Sequence, residues 1–258
     1  MDRREFNATL MAVSMASLIA PAALAQPAPP VRPRVGLLVH SDMILLDLAG
    51  PLTVFSIMQA DVHLIGKTQQ PVMTDVRLPV MPTVTFQDAP KGFDVLFVPG
   101  GLKGTIAAMH DRETVEFIKQ QGEASRLVTS VCTGSLLLGA AGLLKGYQAT
   151  SHWYVRDLLA QMGAVVRTDR VVEDRNRVTG GGVTAGIDFA LMIAARLAGE
   201  EAARRIQLVI EYDPKPLFDS GSPEHAGPAL VGDVLKRRQD VIREAESAAK
   251  TAGAALNL

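Results

Sequence analysis

The chain has 258 residues, of which 48% are hydrophobic and 5% aromatic, and its formal net charge is −1. This balance excludes an intrinsically disordered chain and argues against a nucleic-acid-binding surface, while the length suits one α/β domain with a large core. The single cysteine excludes an intrachain disulfide framework, and no paired Cys or His spacing predicts a structural metal site.

The N-terminus has the pattern of an export signal. Arg3 and Arg4 precede an apolar stretch from Ala8 to Ala20, and Ala23-Leu24-Ala25 matches a small-x-small cleavage site. The stretch is shorter than the ~20 residues that span a bilayer, so residues 1–25 are predicted to be a cleaved signal peptide that leaves no stable membrane anchor. The adjacent arginines favour the twin-arginine route and a periplasmic location.

A proline-rich linker over residues 26–33 is followed by alternating strands and helices. Strands are predicted at 34–39, 62–65, 94–98, 127–131, 165–166, 171–172 and 177–178. Helices are predicted at 51–58, 114–124, 153–162, 187–197 and 201–210, with a charged C-terminal helix from 231 that ends in an Ala-rich tail. The stretch from Val72 to Phe86 contains two prolines, which indicates a hairpin or an edge excursion. This order predicts a mainly parallel sheet with helices on both faces.

The lone cysteine, Cys132, lies between the strand Leu127–Val131 and a glycine-punctuated helical run that starts at Thr133. A helix N-terminus favours negative charge, so this position predicts a lowered thiol pKa and a nucleophilic role. A small buried core residue fits the position equally well. Export favours the functional interpretation, because an unpaired thiol in an oxidising compartment risks oxidation or mispairing.

Asp47 is an acidic residue inside an apolar run, and it has two interpretations. It is a suitable N-cap for the helix predicted near Pro51. In a parallel sheet, reactive groups gather beyond the C-terminal ends of the strands, and the loop from His40 to Asp47 lies at such an end. There the carboxyl group of Asp47 would lie beside the thiol and exchange protons with a substrate.

Other candidates lie at neighbouring strand ends. The N–H groups of Gly101 and Thr133 are candidates for an oxyanion-type pocket, although an ordinary strand-to-helix turn explains the glycines as well. The Thr133 hydroxyl is placed to cap the helix or to contact a substrate. His152 is a candidate catalytic group, although a lone histidine is more often structural, and Val183 is a candidate pocket wall in a glycine-rich turn.

Five segments together resemble the DJ-1/PfpI superfamily, and within it the isocyanide hydratases. They are Leu46–Pro51, Pro99–Gly101, Ser130–Ser135, Ala149–Trp153 and Thr179–Asp188. The resemblance extends over a domain at 34–223, with 224–258 left as a C-terminal helix and tail. It implies a flavodoxin-like sandwich with a cysteine nucleophile elbow, a homodimer and no cofactor.

The resemblance also implies a reaction, the addition of water to a small-molecule isocyanide. Cys132 is implied as nucleophile and Asp47 as proton carrier, while Thr133 and the Gly101 amide orient substrate or water. Proteases and glyoxalases of the superfamily usually have a histidine after the cysteine or a glutamate in the first loop, so Thr133 and Asp47 argue against both. Two alternatives stay open, a periplasmic thiol-based binding or redox-sensing protein and a glyoxalase-like hydrolase.

Overall fold

The computed structural model describes residues 32–258. The predicted signal peptide and most of the predicted linker therefore lie outside the described residues. Among residues 32–258, no helix is long and apolar enough to cross a membrane, and no group of three or more His, Cys, Asp or Glu side chains is arranged to hold a metal ion.

A seven-stranded sheet forms the centre of the domain, with strand order β10-β11-β7-β6-β1-β2-β5. Its strands are β1 (Arg34–Leu38), β2 (Asp61–Gly66), β5 (Val84–Thr85), β6 (Val95–Val98), β7 (Leu127–Val131), β10 (Val171–Asp174) and β11 (Arg177–Gly180). All neighbours are parallel except β10 and β11. Small two-stranded sheets pair β3 (Val72–Met73) with β4 (Pro79–Val80) and β8 (Gln148–Ala149) with β9 (Val165–Val166).

Helices cover both faces of the sheet. They are α1 (Leu45–Ile57), α2 (Leu102–His110), α3 (Arg112–Ala124), α4 (Gly134–Ala140), a 3₁₀ helix (Arg156–Met162), α5 (Ala185–Ala198), α6 (Glu200–Val209), α7 (Pro223–Ala226) and α8 (Pro228–Ala255). Alternate residues of β6 enter opposite cores: Val95 and Phe97 pack with α1, α5 and α6, whereas Leu96 and Val98 pack with α2, α3, α4 and α8. This period-two division confirms the predicted flavodoxin-like sandwich.

Three elements differ from the sequence-based predictions. Helix α1 begins at Leu45, so Pro51 lies inside the helix and Asp47 in its first turn, while the N-cap is Ile44. The interpretation of Asp47 as an N-cap is therefore wrong. Helix α2, which directly follows Gly101, was not predicted at all. The Ala-rich end of the chain is the last part of α8, because Ala248, Ala249 and Gly253 are buried against the domain.

Two predictions at the edge of the sheet are confirmed together. The stretch from Val72 to Phe86 forms both a hairpin, between β3 and β4, and an edge strand, β5. Its backbone also supports the loop before α1, since the Asp42 N–H donates to the Met73 carbonyl at 2.8 Å. The hairpin thus holds the chain that leads into Asp47.

Candidate active site

Cys132 lies at a sharp turn between β7 and α4. Its φ is +57°, a left-handed conformation that is rare outside glycine and marks local strain. The strained backbone is held on both sides: the Cys132 N–H donates to the carbonyls of Gly181 (2.7 Å) and Gly180 (3.1 Å), and its carbonyl accepts from the Ser151 hydroxyl at 3.0 Å. The predicted strand-to-helix elbow is therefore present, and its thiol is completely buried.

Gly100 allows the elbow and the first helix to approach each other. A Cβ atom at this position would lie 2.5 Å from the Thr133 nitrogen, 2.8 Å from the Cys132 Cβ and 2.9 Å from an Asp47 carboxylate oxygen. Real Cβ atoms do not make such contacts, so only glycine fits without a shift of the backbone. The same three measurements show that Asp47, Cys132 and Thr133 meet around one point.

Asp47 is a fully buried carboxyl group. Its Oδ2 accepts the Gly100 N–H at 2.9 Å, whereas Oδ1 has no N–H or O–H partner among the described residues. Burial raises the pKa of Asp47 to about 7, against the opposing hydrogen bonds from Gly100 and from the Cys132 thiol. Near neutral pH the group is thus poised between carboxylic acid and carboxylate, which suits a proton carrier.

The pKa of Cys132 does not follow the prediction from the helix N-terminus. Burial, and then the negative charge of Asp47, raise the pKa of the thiol well above its ordinary value, although the Thr133 N–H favours the thiolate. The predicted lowering is wrong because it considered the helix alone and not the buried carboxylate facing the sulfur. The raised pKa means that the sulfur rests as a thiol beside Asp47 at neutral pH.

Thr133 and Gly101 bind each other rather than facing outward. The Gly101 N–H donates to the Thr133 hydroxyl oxygen at 2.9 Å, and that hydroxyl shares a second hydrogen bond with Thr105 at 2.8 Å. The expectation that the Gly101 N–H is a free oxyanion donor is therefore not met. Both residues instead fix the backbone around the thiol, and the Thr133 N–H is the amide directed at the sulfur.

A cavity of about 580 Å³ includes Gly101, His152 and Val183 in its walls. Gly101 connects it to the elbow, because its N–H donates to the Thr133 hydroxyl, whereas Cys132 and Asp47 are buried behind that wall and do not line the cavity. Val183 is thus placed where the sequence predicts a pocket wall.

Burial and the positive charges of Arg238 and Arg156 lower the pKa of His152 to about 4, so the ring is neutral at pH 7. Its Nδ1 is buried without a partner among the described residues. The structure therefore brings His152 to the cavity as a neutral imidazole.

Three further residues at this cavity were missed by the sequence reasoning: Lys103, Tyr154 and Arg238. The guanidinium of Arg238 lies 5.5 Å from the ring centroid of Tyr154. Helical spacing in the sequence indicates that Arg238 lies on this face of α8. The cavity-lining residues of that helix recur every three to four positions, and they are Val231, Val234, Arg238 and Val241. A charged residue in an otherwise apolar stripe indicates a face that is not simply core.

The sequence profile described as "DJ-1/PfpI family" matches residues 33–196. The isonitrile hydratase of Pseudomonas putida is 47% identical over 226 residues, which cover 87% of this chain and 98% of that protein. Protein DJ-1alpha of Drosophila melanogaster is 28% identical over 149 residues, 57% of this chain and 69% of that protein. The crystal structure of a ThiJ/PfpI family protein from Pseudomonas syringae superposes with a TM-score of 0.83 at 41% identity, covering 89% of this chain and 98% of that one.

Proposed function

This chain belongs to the DJ-1/PfpI family, and we propose that it is an isocyanide hydratase, a cysteine-dependent lyase that adds water to R–N≡C to give an N-substituted formamide. The observation that carries the proposal is the buried pair of Cys132 and Asp47, with a carboxyl pKa near 7. The similarity to isonitrile hydratase over nearly the whole length of that protein supports the same reaction.

The first half of the mechanism joins the substrate to the enzyme. Asp47 takes the thiol proton as the sulfur of Cys132 attacks the terminal isocyanide carbon, and it then returns that proton to the same carbon. One carbon–nitrogen bond of the triple bond is lost, a carbon–sulfur bond forms, and the product is the thioimidate R–N=CH–S–Cys132. The Thr133 N–H stabilises the sulfur while it is negative.

The second half releases the product. Water attacks the thioimidate carbon while the Asp47 carboxylate accepts a proton from that water, and the nitrogen is protonated from Asp47. The tetrahedral adduct R–NH–CH(OH)–S–Cys132 then collapses: the carbon–sulfur bond breaks, the hydroxyl proton leaves through Asp47, and the thiol is restored. The sum is R–N≡C plus water giving R–NH–CHO, with no change in oxidation state of the enzyme.

The decisive experiment measures formamide production from a simple alkyl isocyanide by the purified protein. Cys132→Ala is expected to abolish turnover, by at least about a thousandfold as for other covalent nucleophiles, while circular dichroism shows that the variant is folded. Thr105→Ser, which keeps the hydroxyl next to Thr133, is the matched control and retains activity. Absence of formamide from the unsubstituted protein would refute the proposal.

The alternatives are less well supported by the site. A redox sensor needs an accessible thiol of low pKa, whereas Cys132 is buried and its pKa is raised. A glyoxalase-like hydrolase would release glycolate from glyoxal, and measuring glycolate after incubation with glyoxal distinguishes it. Stoichiometric sulfenic acid at Cys132 after mild peroxide, without isocyanide turnover, would instead support the sensor.

We also propose that the protein acts in the periplasm as a homodimer. The export pattern in residues 1–25 supports the location, and the mature N-terminus measured by mass spectrometry of a periplasmic fraction tests it. Dimerisation is supported by large apolar side chains that remain exposed in the described chain, among them Leu208, Val209, Leu217 and Phe218. Sedimentation equilibrium tests it, and a monomer at micromolar concentration would contradict it.

A further inference from the structure

The charged groups around the cavity divide into two sets. On the side of the β3–β4 hairpin the charges have partners: Arg77 pairs with Asp42 at 3.8 Å, and Asp75 Oδ1 accepts the Leu45 N–H at 2.9 Å. Arg77 and Asp42 therefore balance each other, whereas Asp75 keeps a negative charge that no cation pairs with among residues 32–258.

The cavity also carries two further cations. Lys103 and Arg238 line the same cavity, on helices α2 and α8, which pack against each other. Within residues 32–258 neither side chain has an ion-pair partner, although most arginines of the domain do. Since His152 is neutral at pH 7, the unpaired positive charge at the cavity comes from Lys103 and Arg238.

The cavity wall is mixed, with polar and apolar surface in similar amounts. Its apolar part includes Leu102, Trp153, Val183 and Val234, which give an aliphatic or aromatic body favourable contacts. Tyr154 lies beside the Arg238 guanidinium. An aromatic face next to a guanidinium helps to orient the planar guanidinium group and its N–H donors. A guanidinium group binds a carboxylate with two parallel N–H···O hydrogen bonds.

We propose that this cavity selects substrates with an apolar body and an anionic end, a carboxylate bound by Arg238 with the support of Lys103, while the reacting isocyanide carbon points to Cys132. The proposal deepens the function proposed above and rests on it for the identity of the reacting group. Arg238 is thus a specificity-determining residue that contacts the distal end of the substrate. Burial and the Asp47 charge raise the pKa of Cys132, and the positive charge of Arg238 opposes that rise.

The binding test does not depend on turnover. Trp153 is the single tryptophan of the chain and lines the cavity, so its fluorescence reports occupancy. Hexanoate and hexanamide, which have nearly the same shape and differ in charge, are titrated against the protein. Hexanoate is expected to bind about fivefold to tenfold more tightly at low salt, as for one charge-assisted contact that is partly solvated, and the preference shrinks as ionic strength rises.

Variants identify the cation responsible. Arg238→Gln is expected to remove most of the preference for hexanoate, Arg238→Lys to keep part of it, and Arg238→Glu to reverse it. Arg237→Gln is the matched control, because Arg237 is the neighbouring residue on α8 but pairs with Asp233 at 2.7 Å and does not line the cavity. Equal binding of the two probes, or a preference that survives Arg238→Gln and Lys103→Gln, overturns the proposal.

Turnover then tests the link to catalysis. The ratio of kcat/KM for an ω-isocyano alkanoate to that for the alkyl isocyanide of the same length is expected to fall about fivefold to tenfold in Arg238→Gln. A ratio is used because any effect of Arg238 on the thiol itself cancels. If no isocyanide is hydrated but hexanoate is still preferred, the proposed function fails and the anionic specificity stands. If both isocyanides react equally well in the unsubstituted protein, the specificity fails and the function stands.

Discussion

The elbow and the rim of the cavity are built in opposite ways. At the elbow, Cys132, Asp47 and Thr133 are 0% exposed, and backbone hydrogen bonds fix their positions. At the rim, Lys103 and Arg238 are exposed and reach the cavity from helix surfaces. In the proposed reaction the chemistry depends on a closely constrained geometry, whereas the proposed substrate choice depends on hydrated side chains that can be exchanged. Substitutions at the elbow should therefore have large effects and those at the rim small ones.

The largest effect is expected from Asp47→Asn, which keeps the shape of the side chain but cannot take the thiol proton. Without that base, kcat/KM for an alkyl isocyanide falls by roughly a thousandfold, the usual range for general acid–base catalysis. In the unsubstituted enzyme kcat/KM rises with pH through the Asp47 pKa of about 7, because the carboxylate must be ionised to accept the proton. Steady-state kinetics between acidic and mildly alkaline pH measures both effects.

The variant should also lose the rise near pH 7, which separates a proton carrier from a merely structural carboxyl group. Asp75→Asn is the comparison variant, since Asp75 is exposed, lines the cavity and accepts the Leu45 N–H through an oxygen that asparagine keeps. It should retain the rise with pH but move it to lower pH, because the Asp75 charge contributes to the raised pKa of Asp47. If Asp47→Asn retains more than about a tenth of the rate, or an unchanged pH profile, the assignment of Asp47 is refuted.

The same buried carboxyl should make stability depend on pH. Its folded pKa of about 7 lies above the ordinary value of 3.8, so between these values the native state binds more protons than the unfolded chain, and stability falls as pH rises. A shift of this size corresponds to about 4 kcal/mol. Chemical unfolding at pH 4 and pH 8 should show a less favourable change of stability with rising pH in the unsubstituted protein than in Asp47→Asn. The comparison cancels the opposite contribution of His152, whose pKa is lowered to about 4. Equal pH dependence of the two proteins would show that Asp47 is not the responsible group.

Gly100→Ala tests the close approach at the elbow. The added methyl group would overlap the Thr133 nitrogen and the Cys132 Cβ, so the backbone must move, and the free energy of unfolding should fall by about 1–3 kcal/mol, as in other overpacked sites. The matched control is Gly182→Ala, where the nearest atom to an added Cβ is the His152 Cδ2 at 3.7 Å. Urea unfolding of both variants measures the difference, and equal stability would contradict a tightly packed elbow.

Many of the strands and helices could be predicted from the sequence, because the sequence patterns that indicate them are local. The strand Leu127–Val131 has the predicted bounds, since an apolar β-branched run followed by glycines is typical of a buried parallel strand. Helix α1 was predicted too short because Pro51 was interpreted as a first-turn residue, whereas it lies inside the helix. Helix α2 was missed because a nine-residue helix containing Gly104 has weak periodicity.

Some properties of the candidate site could likewise be predicted from residues adjacent in the chain, and others could not. The position of Cys132 at an elbow follows from its neighbours in the chain. The pKa of the thiol does not follow from those neighbours, because it depends on the carboxylate of Asp47, which precedes Cys132 by 85 positions in the sequence. Likewise the Gly101 N–H is used by the Thr133 hydroxyl, a tertiary contact that no local pattern indicates. Burial and pairing across the fold decide these properties.

The smallest effect is expected away from the cavity, from Gly232→Ala in the exposed first turns of α8. An added Cβ meets no atom within 4 Å, and alanine loses less backbone entropy in a helix than glycine does, so the free energy of unfolding should rise by about 0.5–1 kcal/mol. Isocyanide turnover and the preference for hexanoate should not change, since Gly232 does not line the cavity. Thermal unfolding and the two assays test this together. A loss of activity without a loss of stability would show that the backbone conformation of the first turns of α8 matters for the reaction, and the contrast between a constrained elbow and a tolerant α8 would then fail.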